Sequence, residues 1–305
     1  MSVPYVCPVC RGALLQSSAT LRCTNCGVDY PVDLDIADFS GGSYYDSYAP
    51  GQELSDEHRR GLEAEVRGSR WRVERYYATK LRPGSRVLDC GCGNGVSVDA
   101  LTELGFDARG IDLSSLRKWQ WREREHRDRL AVASALRLPF PDAAFDAVIS
   151  SGVIEHIGVA EEGGVTYRVT PLPDRDEQRR AYVGELLRVT RPGGSVFIDC
   201  PNGGFPIDFW HGAVGGRARF HRRDEGFLPT IQDVKGYADG ASLTAHSPHR
   251  RFAFRQVGRH WYGKLFAPLM AAAFALGGRL FARTALNPYL VMEIKKPPEG
   301  GFLER

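Results

Sequence analysis

The sequence predicts an α/β fold, in which a doubly wound, mostly parallel sheet follows a small metal-bound domain at the N-terminus. From residue 86 onward, short apolar segments rich in Val and Ile alternate with helix-like segments, and this alternation is typical of a parallel sheet. Before it, four of the seven cysteines fall within the first 26 residues as two Cys-x-x-Cys pairs. The length of 305 residues fits about two domains of roughly 150 residues each.

Composition and charge exclude several classes of protein. The apolar fraction of 43% and the charged fraction of 25% are ordinary for a globular chain and wrong for a disordered one. A net charge of +3 excludes a global polycation. The N-terminus lacks a signal-peptide pattern, and the uncharged apolar stretch 265–278 is shorter than the roughly 20 residues that span a bilayer. We therefore expect a soluble, cytoplasmic protein, in which 265–276 packs in the core or makes weak contact with a membrane-borne substrate.

The cysteine pairs predict a structural zinc site. Cys7 and Cys10 form the first pair, and Cys23 and Cys26 form the second after a hairpin-length spacer. Two such pairs bring four thiolates to one point, and a tetrahedral set of sulfur donors suits Zn²⁺. A glycine shortly after each pair is expected to permit the tight turn. We expect a zinc ribbon over residues 1–39, and the alternative is a redox site or a site that has lost its metal.

The remaining elements follow in chain order. Residues 40–80 are predicted to form a helical linker, with one helix on either side of Gly68. The alternating region predicts strands at 87–88, 108–111, 130–133, 145–150 and 195–200, with helices at 98–104, 114–128 and 179–190 between them. Residues 264–282 have a helical composition, and 289–295 are predicted to form the last strand.

A glycine-rich loop follows the first strand of the alternating region. It has the sequence Asp89-Cys90-Gly91-Cys92-Gly93-Asn94-Gly95. Glycines at this position let a nucleotide-like ligand approach bare backbone at the start of a helix. The loop is not a dinucleotide-binding fingerprint, because Val96 stands where the third glycine of that pattern is required.

Four segments together resemble the class I S-adenosylmethionine-dependent methyltransferases of type 11. They are VLDCGCGNG, GIDLS, LPFPDAAFDAVISSGVIEHI and LLRVTRPGGSVFIDCPN, in the order and spacing of that family, and they cover residues 86–202. The cysteine-rich segment is similar to zinc ribbons that precede some methyltransferases. The resemblance implies a seven-stranded Rossmann-like sheet and S-adenosylmethionine as cofactor. It also implies a methyltransferase domain over 81–305, with 203–263 as a substrate-cap insertion and 40–80 as a cofactor lid.

The resemblance assigns the cofactor-binding residues. Asp89 faces the methionine ammonium, and Asp112, with Leu113, takes the ribose hydroxyls; the alternative role of Asp112 as a helix N-cap is better filled by Ser114. Ser134 replaces the acid found near adenine in many relatives, so adenine recognition is expected to rest on the neighbouring amides. The remaining expected contacts come from the glycine loop, the third motif and the end of the fourth strand, namely Gly91, Cys92, Gly93, Ala135, Leu136, Ser150 and Ser151. The thiols of Cys90, Cys92 and Cys200 are expected to be packing groups.

Two histidines are candidates for catalysis. His156 follows the fourth strand, and His211 lies in the predicted cap; each is either a general base for a hydroxyl acceptor or a structural residue. We expect the aromatic residues 205, 209 and 210 to form either a lid over the substrate pocket or ordinary core. Tyr44 and Tyr45 are expected either to fold over the cofactor or to lie in an exposed linker.

The predicted acceptor is a small molecule, metabolite or lipid-like, methylated at O or C. The fourth motif lacks the Asn-Pro-Pro-Tyr-like residues of amino-methylating nucleic-acid enzymes, and the insertion is apolar and aromatic. The alternative is an rRNA or tRNA base methyltransferase that uses the zinc ribbon for RNA binding, because a ribosomal-RNA guanine methyltransferase also carries such a ribbon. Basic residues at 217–223 are expected either to meet a phosphate or carboxylate on the acceptor or to form a solvated loop. With an RNA acceptor, they would hold the RNA. The sequence leaves the oligomeric state open.

Overall fold

The computed structural model describes residues 4–17, 19–46, 48, 56–162, 167–213, 217–246 and 261–298. The chain forms two compact units. The first comprises Met1–Ile149 with Glu185–Ser195, and the second comprises Ser150–Gly184 with Val196–Arg305. Residues 214–216 and 247–260 of the predicted cap insertion, and 49–55 of the predicted linker, lie outside the described residues.

The first unit contains eight neighbouring strands of the central sheet. In chain order its elements are β1 (Leu14–Gln16), β2 (Thr20–Cys23), β3 (Asp29–Asp33), β4 (Ile36–Asp38), α1 (Asp56–Arg72), β5 (Arg86–Cys90), α2 (Val96–Glu103), β6 (Asp107–Asp112), α3 (Ser115–Trp121), β7 (Leu130–Val132) and β8 (Phe145–Ser151), whose last two residues belong to the second unit. The strand order is β1-β2-β3-β4-β7-β6-β5-β8. Strands β1 to β4 pair antiparallel, whereas β4–β7, β7–β6, β6–β5 and β5–β8 are parallel.

The α/β prediction is confirmed, but the expected number of seven strands is wrong. The cysteine-bearing strands do not form a separate sheet, because β4 adds to the edge of the parallel sheet. Ala37 pairs with Ala131, and Asp38 pairs with Val132. The ribbon strands thereby lengthen the sheet by four strands.

Two predicted helices differ from the structure. The helix α1 runs through Gly68 without a break and continues into a π-helical turn at Val73–Tyr77. A glycine inside a helix costs about 1 kcal/mol. The side chains that the π-helical turn buries offset this cost. The helix expected over 114–128 ends at Trp121, whose buried indole Nε1 donates to the Gly93 carbonyl at 2.8 Å. The charged residues that follow have no apolar face to bury, and only a short 3₁₀ turn forms there, at Arg127–Arg129.

The second unit carries two hairpins and one sheet. Its elements are β9 (Val159–Glu162), β10 (Arg168–Pro171), α4 (Arg175–Val189), β11 (Thr190–Pro201), β12 (Ile207–Ala213), β13 (Arg217–Phe220), α5 (Ile231–Tyr237), β14 (Ser242–His246), α6 (Trp261–Phe281) and β15 (Tyr289–Lys295); the end of α4 and the start of β11 belong to the first unit. The strand order β11-β15-β14 forms the sheet, β9 pairs with β10, and β12 pairs with β13.

The helix α6 presents apolar side chains to solvent. Among its described side chains, Leu265, Leu269, Leu276 and Leu280 are all exposed. The expectation that residues 265–276 pack in the core is therefore wrong for Leu265, Leu269 and Leu276. Within the described part of the chain, no helix has the length and apolar character needed to cross a membrane.

Candidate functional site

The four N-terminal cysteines converge on one point. Their sulfur atoms all lie within 4.8 Å of one another, with Cys7 and Cys26 at 3.6 Å and Cys10 and Cys23 at 3.4 Å. None of the four is in a disulfide. Tetrahedral coordination with zinc–sulfur bonds of about 2.3 Å places sulfurs about 3.8 Å apart. The donor set and its spacing therefore fit Zn²⁺.

The two cysteine knuckles share one backbone geometry. In the first, the Arg11 amide donates to the Cys7 carbonyl at 2.7 Å; in the second, the Gly27 amide donates to the Cys23 carbonyl at 3.1 Å. Both donor residues adopt the left-handed region, with φ of 61° for Arg11 and 74° for Gly27. The expectation that a glycine makes each turn holds only for the second knuckle.

Gly12 has a different role in the first knuckle. A Cβ at Gly12 would lie 3.1 Å from the Cys23 sulfur and 3.3 Å from the Cys10 sulfur. Gly12 is therefore needed because Asn25 and these two sulfurs leave no room for a side chain. A hydrogen bond from the Gly12 backbone, together with one from Asn25, lowers the pKa of Cys10 to about 6, which favours the thiolate that a metal binds.

The glycine loop leaves β5 in the conformation that its sequence requires. Gly91, Gly93 and Gly95 have φ of 83°, 53° and 79°, and α2 begins directly after Gly95. These values lie in the left-handed region that favours glycine. The Gly91 and Cys92 amides both donate to the Ile111 carbonyl, at 2.8 and 2.9 Å, which fixes the loop against the end of β6.

The thiol of Cys92 points into the core. It is buried, and a Cβ at Gly110 would lie 2.8 Å from its sulfur. Burial, together with the charge of Asp89, raises the pKa of Cys92 well above its usual value, so the thiol stays protonated. Any cofactor contact by Cys92 is therefore made by its backbone.

Two carboxylates border the glycine loop as the sequence predicts. Asp89, at the end of β5, accepts a hydrogen bond from the Ser97 hydroxyl. Asp112, at the end of β6, accepts from the Gly93 amide at 2.9 Å. Burial raises the pKa of Asp112 against the opposing effect of that amide. Ser114 is the N-cap of α3, because its Oγ accepts from the Arg117 amide at 3.0 Å, so Asp112 is free of that capping role.

Sequence reasoning missed an acid that supports this edge. Asp46 accepts from the Ser114 hydroxyl at 2.5 Å and from the Ser115 amide at 2.6 Å, so it fixes the start of α3. Its neighbour Tyr45 donates its amide to the Leu113 carbonyl at 3.2 Å, whereas the Tyr45 ring is exposed. The expected aromatic segment therefore lies beside the end of β6, but an acid between two tyrosines holds it there.

A second missed group lies over the glycine loop. Glu65, on α1, forms an ion pair with Arg117 of α3 at 3.1 Å. A Cβ at Gly93 would lie 2.7 Å from the Glu65 Oε1 atom. No local sequence pattern identifies this pair, because Glu65 and Arg117 are far apart in the chain.

The expected adenine-side residues follow β7. The Ala133 amide donates to the Asp112 carbonyl at 3.0 Å, and the Leu136 amide donates to the Ser134 hydroxyl at 3.2 Å. The Leu136 amide is thus engaged within its own loop. Of the two predicted amides, that of Ala135 is the better candidate for adenine, and this assignment stays a prediction.

The two serines at the end of β8 are engaged by protein groups. Ser150 is fully buried and accepts from the Tyr182 hydroxyl at 2.6 Å. The Ser151 hydroxyl donates to Asp199 at 2.7 Å, and the Tyr289 hydroxyl donates to the same carboxylate oxygen. Their predicted contact with the methionine moiety stays a prediction.

The second unit brings the two candidate catalytic histidines together. The rings of His156 and His211 lie 5.1 Å apart, edge to face. Phe227 packs against both rings, at 5.8 Å from His156 and 4.8 Å from His211. The Tyr167 ring stacks on His211 at 5.6 Å. The sequence predicted both histidines but not that they are neighbours.

Each imidazole is held by its own carboxylate. The Nδ1 atom of His156 lies 2.5 Å from Glu161, and the Nδ1 atom of His211 lies 3.1 Å from Asp208. Burial of His156 disfavours its charged form, but the hydrogen bond to Glu161 and the charge of Glu155 outweigh burial and raise the pKa of His156. Burial alone would raise the pKa of Asp208, yet its hydrogen bond to His211 holds that pKa well below the usual range.

An irregularity in the β12–β13 hairpin directs His211 towards His156. The strand register shifts after Asp208, and the Asp208 carboxylate accepts from the amides of Trp210 and His211 at 2.9 and 3.1 Å. Such a bulge reorients the side chains that it carries. Arg219, opposite Asp208 in the hairpin, donates to the same carboxylate at 3.2 Å.

Arg179 is a further residue that sequence reasoning missed. Its guanidinium is buried and donates to the carbonyls of Glu155, Ile157 and Phe227 at 3.0, 3.1 and 2.6 Å. These carbonyls belong to the segments on either side of His156 and to the residue that packs on both imidazoles. Arg179 therefore fixes the backbone of the histidine cluster.

A separate cavity of 490 Å³ lies at the base of the β12–β13 hairpin. Pro206 and His221 border it, and cationic side chains contribute to its wall, namely Arg223, Lys235 and Arg283. The side chains of the basic segment 217–223 therefore have different surroundings. Arg219 forms ion pairs with Asp208 and Glu225, and Arg222 forms one with Asp224. His221 and Arg223 line the cavity. The side chain of Arg217 lies outside the described residues.

Comparison with known proteins identifies the domain that carries the glycine loop. Residues 88–198 match the methyltransferase domain family. Over 128 residues the chain is 32% identical to the demethylmenaquinone methyltransferase of Beutenbergia cavernae, and this alignment covers 42% of this chain and 45% of that protein. Over 172 residues it is 30% identical to the 2-methyl-6-phytyl-1,4-hydroquinone methyltransferase of Synechocystis sp., and this alignment covers 54% of this chain and 47% of that protein.

An RNA-directed relative is also similar. The chain is 29% identical over 139 residues to the probable tRNA methyltransferase 9B of Mus musculus, with 44% of this chain and 26% of that protein covered. The chain spans about half the length, or less, of these curated relatives.

The matched range begins in β5, contains the glycine loop and Asp112, and ends in β11. The glycines are left-handed where the backbone must be bare, and a carboxylate ends each of β5 and β6. This arrangement fits the cofactor that the sequence motifs imply. Residues 88–198 therefore form a methyltransferase domain, and over this range the chain is similar to known methyltransferases.

Proposed function

We propose that the chain transfers a methyl group from S-adenosylmethionine to an oxygen atom of an anionic small molecule. The observation that carries this proposal is the 490 Å³ cavity with cationic side chains in its wall. Cavities of about 300–1,000 Å³ are typical of small-molecule sites. An acceptor with a carboxylate or phosphate would be held by Arg223, Lys235 and Arg283.

The first unit supplies the residues that hold the cofactor. Asp112 takes the ribose hydroxyls, the bare backbone at Gly91 and Gly93 admits the ligand, and the Ala135 amide serves adenine. Asp89, together with Ser97, bounds the methionine end. The sulfonium supplies an electrophilic methyl group when bound, so the protein's task is to position the acceptor and exclude water.

The second unit supplies the residues for the acceptor hydroxyl. His211 keeps Nδ1 on Asp208, so its Nε2 atom is the one that can take a proton. His156 has the same arrangement with Glu161. Methyl transfer forms the O–C bond, breaks the C–S bond with its electron pair left on sulfur, and passes the hydroxyl proton to an imidazole.

We also propose that the four cysteines hold a structural Zn²⁺. The fit of their sulfur spacing supports this role, and four protein ligands leave no open position for catalysis. The redox alternative predicts a disulfide under mild oxidation, whereas the zinc proposal predicts metal in the purified protein.

The test of the main proposal is a partition of labelled methyl groups. The full chain is incubated with methyl-labelled S-adenosylmethionine and an extract of a host that lacks the gene. RNA, protein and extractable small molecules are then separated and counted. We expect the parent protein to place label in the small-molecule fraction. We expect a variant that combines Arg223→Ala and Arg283→Ala to lose that label.

RNA is the second candidate acceptor, favoured by the similarity to a probable tRNA methyltransferase. Label in the RNA fraction would overturn the small-molecule proposal. A steep loss of RNA affinity with salt would then be expected, because phosphate contacts release counterions.

A further inference from the structure

We propose that Glu155, His156 and His211 form a second metal site, for a divalent first-row transition cation, distinct from the four-cysteine site. One potential ligand atom from each residue lies within 4.8 Å of the other two. Two imidazoles and one carboxylate are a donor set that such cations accept, usually with open positions left for further ligands.

The state of Glu155 points to a cation. Its residue is 1% exposed, and its Oε2 atom has no hydrogen-bond partner among the described residues. A buried carboxylate oxygen without a partner is costly, because it has lost its water without replacement. Metal coordination is one of the few arrangements that compensates a buried charge.

The two imidazoles are arranged as metal ligands. Glu161 holds Nδ1 of His156, and Asp208 holds Nδ1 of His211, so Nε2 of each ring is the atom left for coordination. Histidines that bind metals usually place their other ring nitrogen on a carboxylate or carbonyl, which fixes the tautomer and the ring orientation. Two rings in this arrangement, both beside the Glu155 carboxylate, are more specific than a single histidine–acid pair.

The net charge of the groups around the two imidazole rings also favours a bound cation. Carboxylates outnumber guanidiniums in this cluster: the carboxylates are Glu155, Glu161, Asp199, Asp208 and Glu225, and the guanidiniums are Arg179 and Arg219. A dication between the imidazoles would offset part of this excess of negative charge.

Solvent reaches the cluster from one side. The His156 side chain is 37% exposed, whereas that of His211 is 13% exposed and Glu155 is buried. Three protein ligands with an accessible side leave positions for an exogenous oxygen, as in catalytic rather than structural metal sites.

The role of the cation deepens the proposed function and rests on it. A divalent cation that binds the acceptor hydroxyl lowers the pKa of that hydroxyl and holds the oxygen for attack on the methyl group. The cation thus replaces the imidazole as the group that activates the hydroxyl, because it occupies the Nε2 atoms. The oxygen keeps its new bond to carbon, the C–S electron pair stays on sulfur, and the proton passes to solvent. This role favours acceptors with two neighbouring oxygens, such as catechols or hydroxy acids, which chelate the cation.

Mn²⁺ binding to the full chain tests the site without reference to activity. The protein keeps its zinc, since hard Mn²⁺ competes poorly for thiolates, and free Mn²⁺ is counted by its electron paramagnetic resonance signal. We expect one bound Mn²⁺ per chain, with affinity at least tenfold weaker in Glu155→Gln and in His211→Gln. Thermal unfolding checks that each variant is folded, and Asp208→Asn, which leaves all three ligands in place, is expected to weaken binding as well.

The control is His246→Gln. His246 pairs with Glu293 at 2.9 Å in the same unit but has no third ligand among the residues that the structure describes, so this variant should bind Mn²⁺ as the parent does. No binding at about 1 mM Mn²⁺, or binding that Glu155→Gln and His211→Gln leave unchanged, would overturn the site.

Activity is measured separately. Chelator-treated protein should lose methyl transfer to the small-molecule fraction and regain it with Mn²⁺. If the protein binds Mn²⁺ but its methyl transfer is unchanged by the chelator, the catalytic role of the cation would be overturned and the metal site itself would stand. Absence of all methyl transfer to small molecules, with Mn²⁺ binding intact, would instead reject the proposed function.

Discussion

The Asp112 carboxylate accepts a hydrogen bond from the Gly93 amide at 2.9 Å, which joins the glycine loop to the end of β6. One oxygen of Asp112 therefore shapes the loop, and the carboxylate as a whole stands where the ribose is expected. The glycine loop and the residue expected to bind the ribose are thus joined by a direct hydrogen bond.

Replacement of Asp112 by alanine should weaken S-adenosylmethionine binding at least tenfold, or about 1.4 kcal/mol. The variant loses both the expected ribose contacts and the hydrogen bond that holds Gly93. Isothermal titration calorimetry measures the change. Asp107→Ala is the control, since Asp107 lies on the same strand but pairs with Arg129. Unchanged affinity in Asp112→Ala would remove the ribose assignment.

Replacement of Cys7 by serine should release metal from the N-terminal site and lower the stability of the first unit. A three-thiolate site binds zinc more weakly, and structural zinc supplies folding free energy. Elemental analysis of the purified variant measures the zinc content. Cys90→Ala, which removes a buried thiol outside the cluster, should keep its zinc. Equal zinc in Cys7→Ser and the parent would reject the zinc proposal.

The stability of the first unit should fall at acid pH in part through Asp146. Its carboxylate accepts from the Arg86 amide at 2.8 Å and from the Arg191 side chain at 2.6 Å. Burial disfavours the charge, but these contacts outweigh it and hold the pKa of Asp146 below its usual value. A lowered folded-state pKa gives stability that is complete above the unfolded value of about 3.9 and is lost as pH falls through the folded value.

Asp146→Asn checks that linkage. Urea unfolding at pH 7 should show the variant less stable by about 1–2 kcal/mol, and the difference should shrink towards pH 3. A stability difference that is the same at both pH values would contradict the assignment.

Replacement of Arg179 by glutamine should destabilise the second unit by about 3 kcal/mol, because three buried carbonyls lose a charged donor. Urea unfolding measures this, and Mn²⁺ binding should weaken in parallel. Arg180→Gln is the matched control, since Arg180 is the next residue and is exposed. If both variants unfold alike, Arg179 does not organise the cluster.

Local patterns predicted much of the fold. The last strand was predicted at 289–295, as observed, because its apolar run is bounded on both sides. The end of α3 was not predicted, because it depends on a contact between Trp121 and Gly93 that lie far apart in sequence. The strand count was missed for the same reason, since the β4–β7 pairing joins residues that no local pattern connects.

The candidate site follows the same rule. Asp89 and Asp112 stand at strand ends, where sequence motifs place them. Glu65 and Asp46 reach the loop and α3 from the preceding segment, and only tertiary structure reveals them. His156 and His211 were each predicted, but their proximity depends on a hairpin irregularity that the sequence does not indicate.

The pairing of β4 with β7 has a consequence for the integrity of the protein in solution. An unpaired strand at the edge of a sheet offers its amides and carbonyls to any other extended chain. Here the cysteine-bearing segment occupies that edge, with Phe39 extending the pairing by donating its amide to Val132. Excision of residues 1–39 is therefore expected to expose the edge of β7 and to leave a chain prone to self-association.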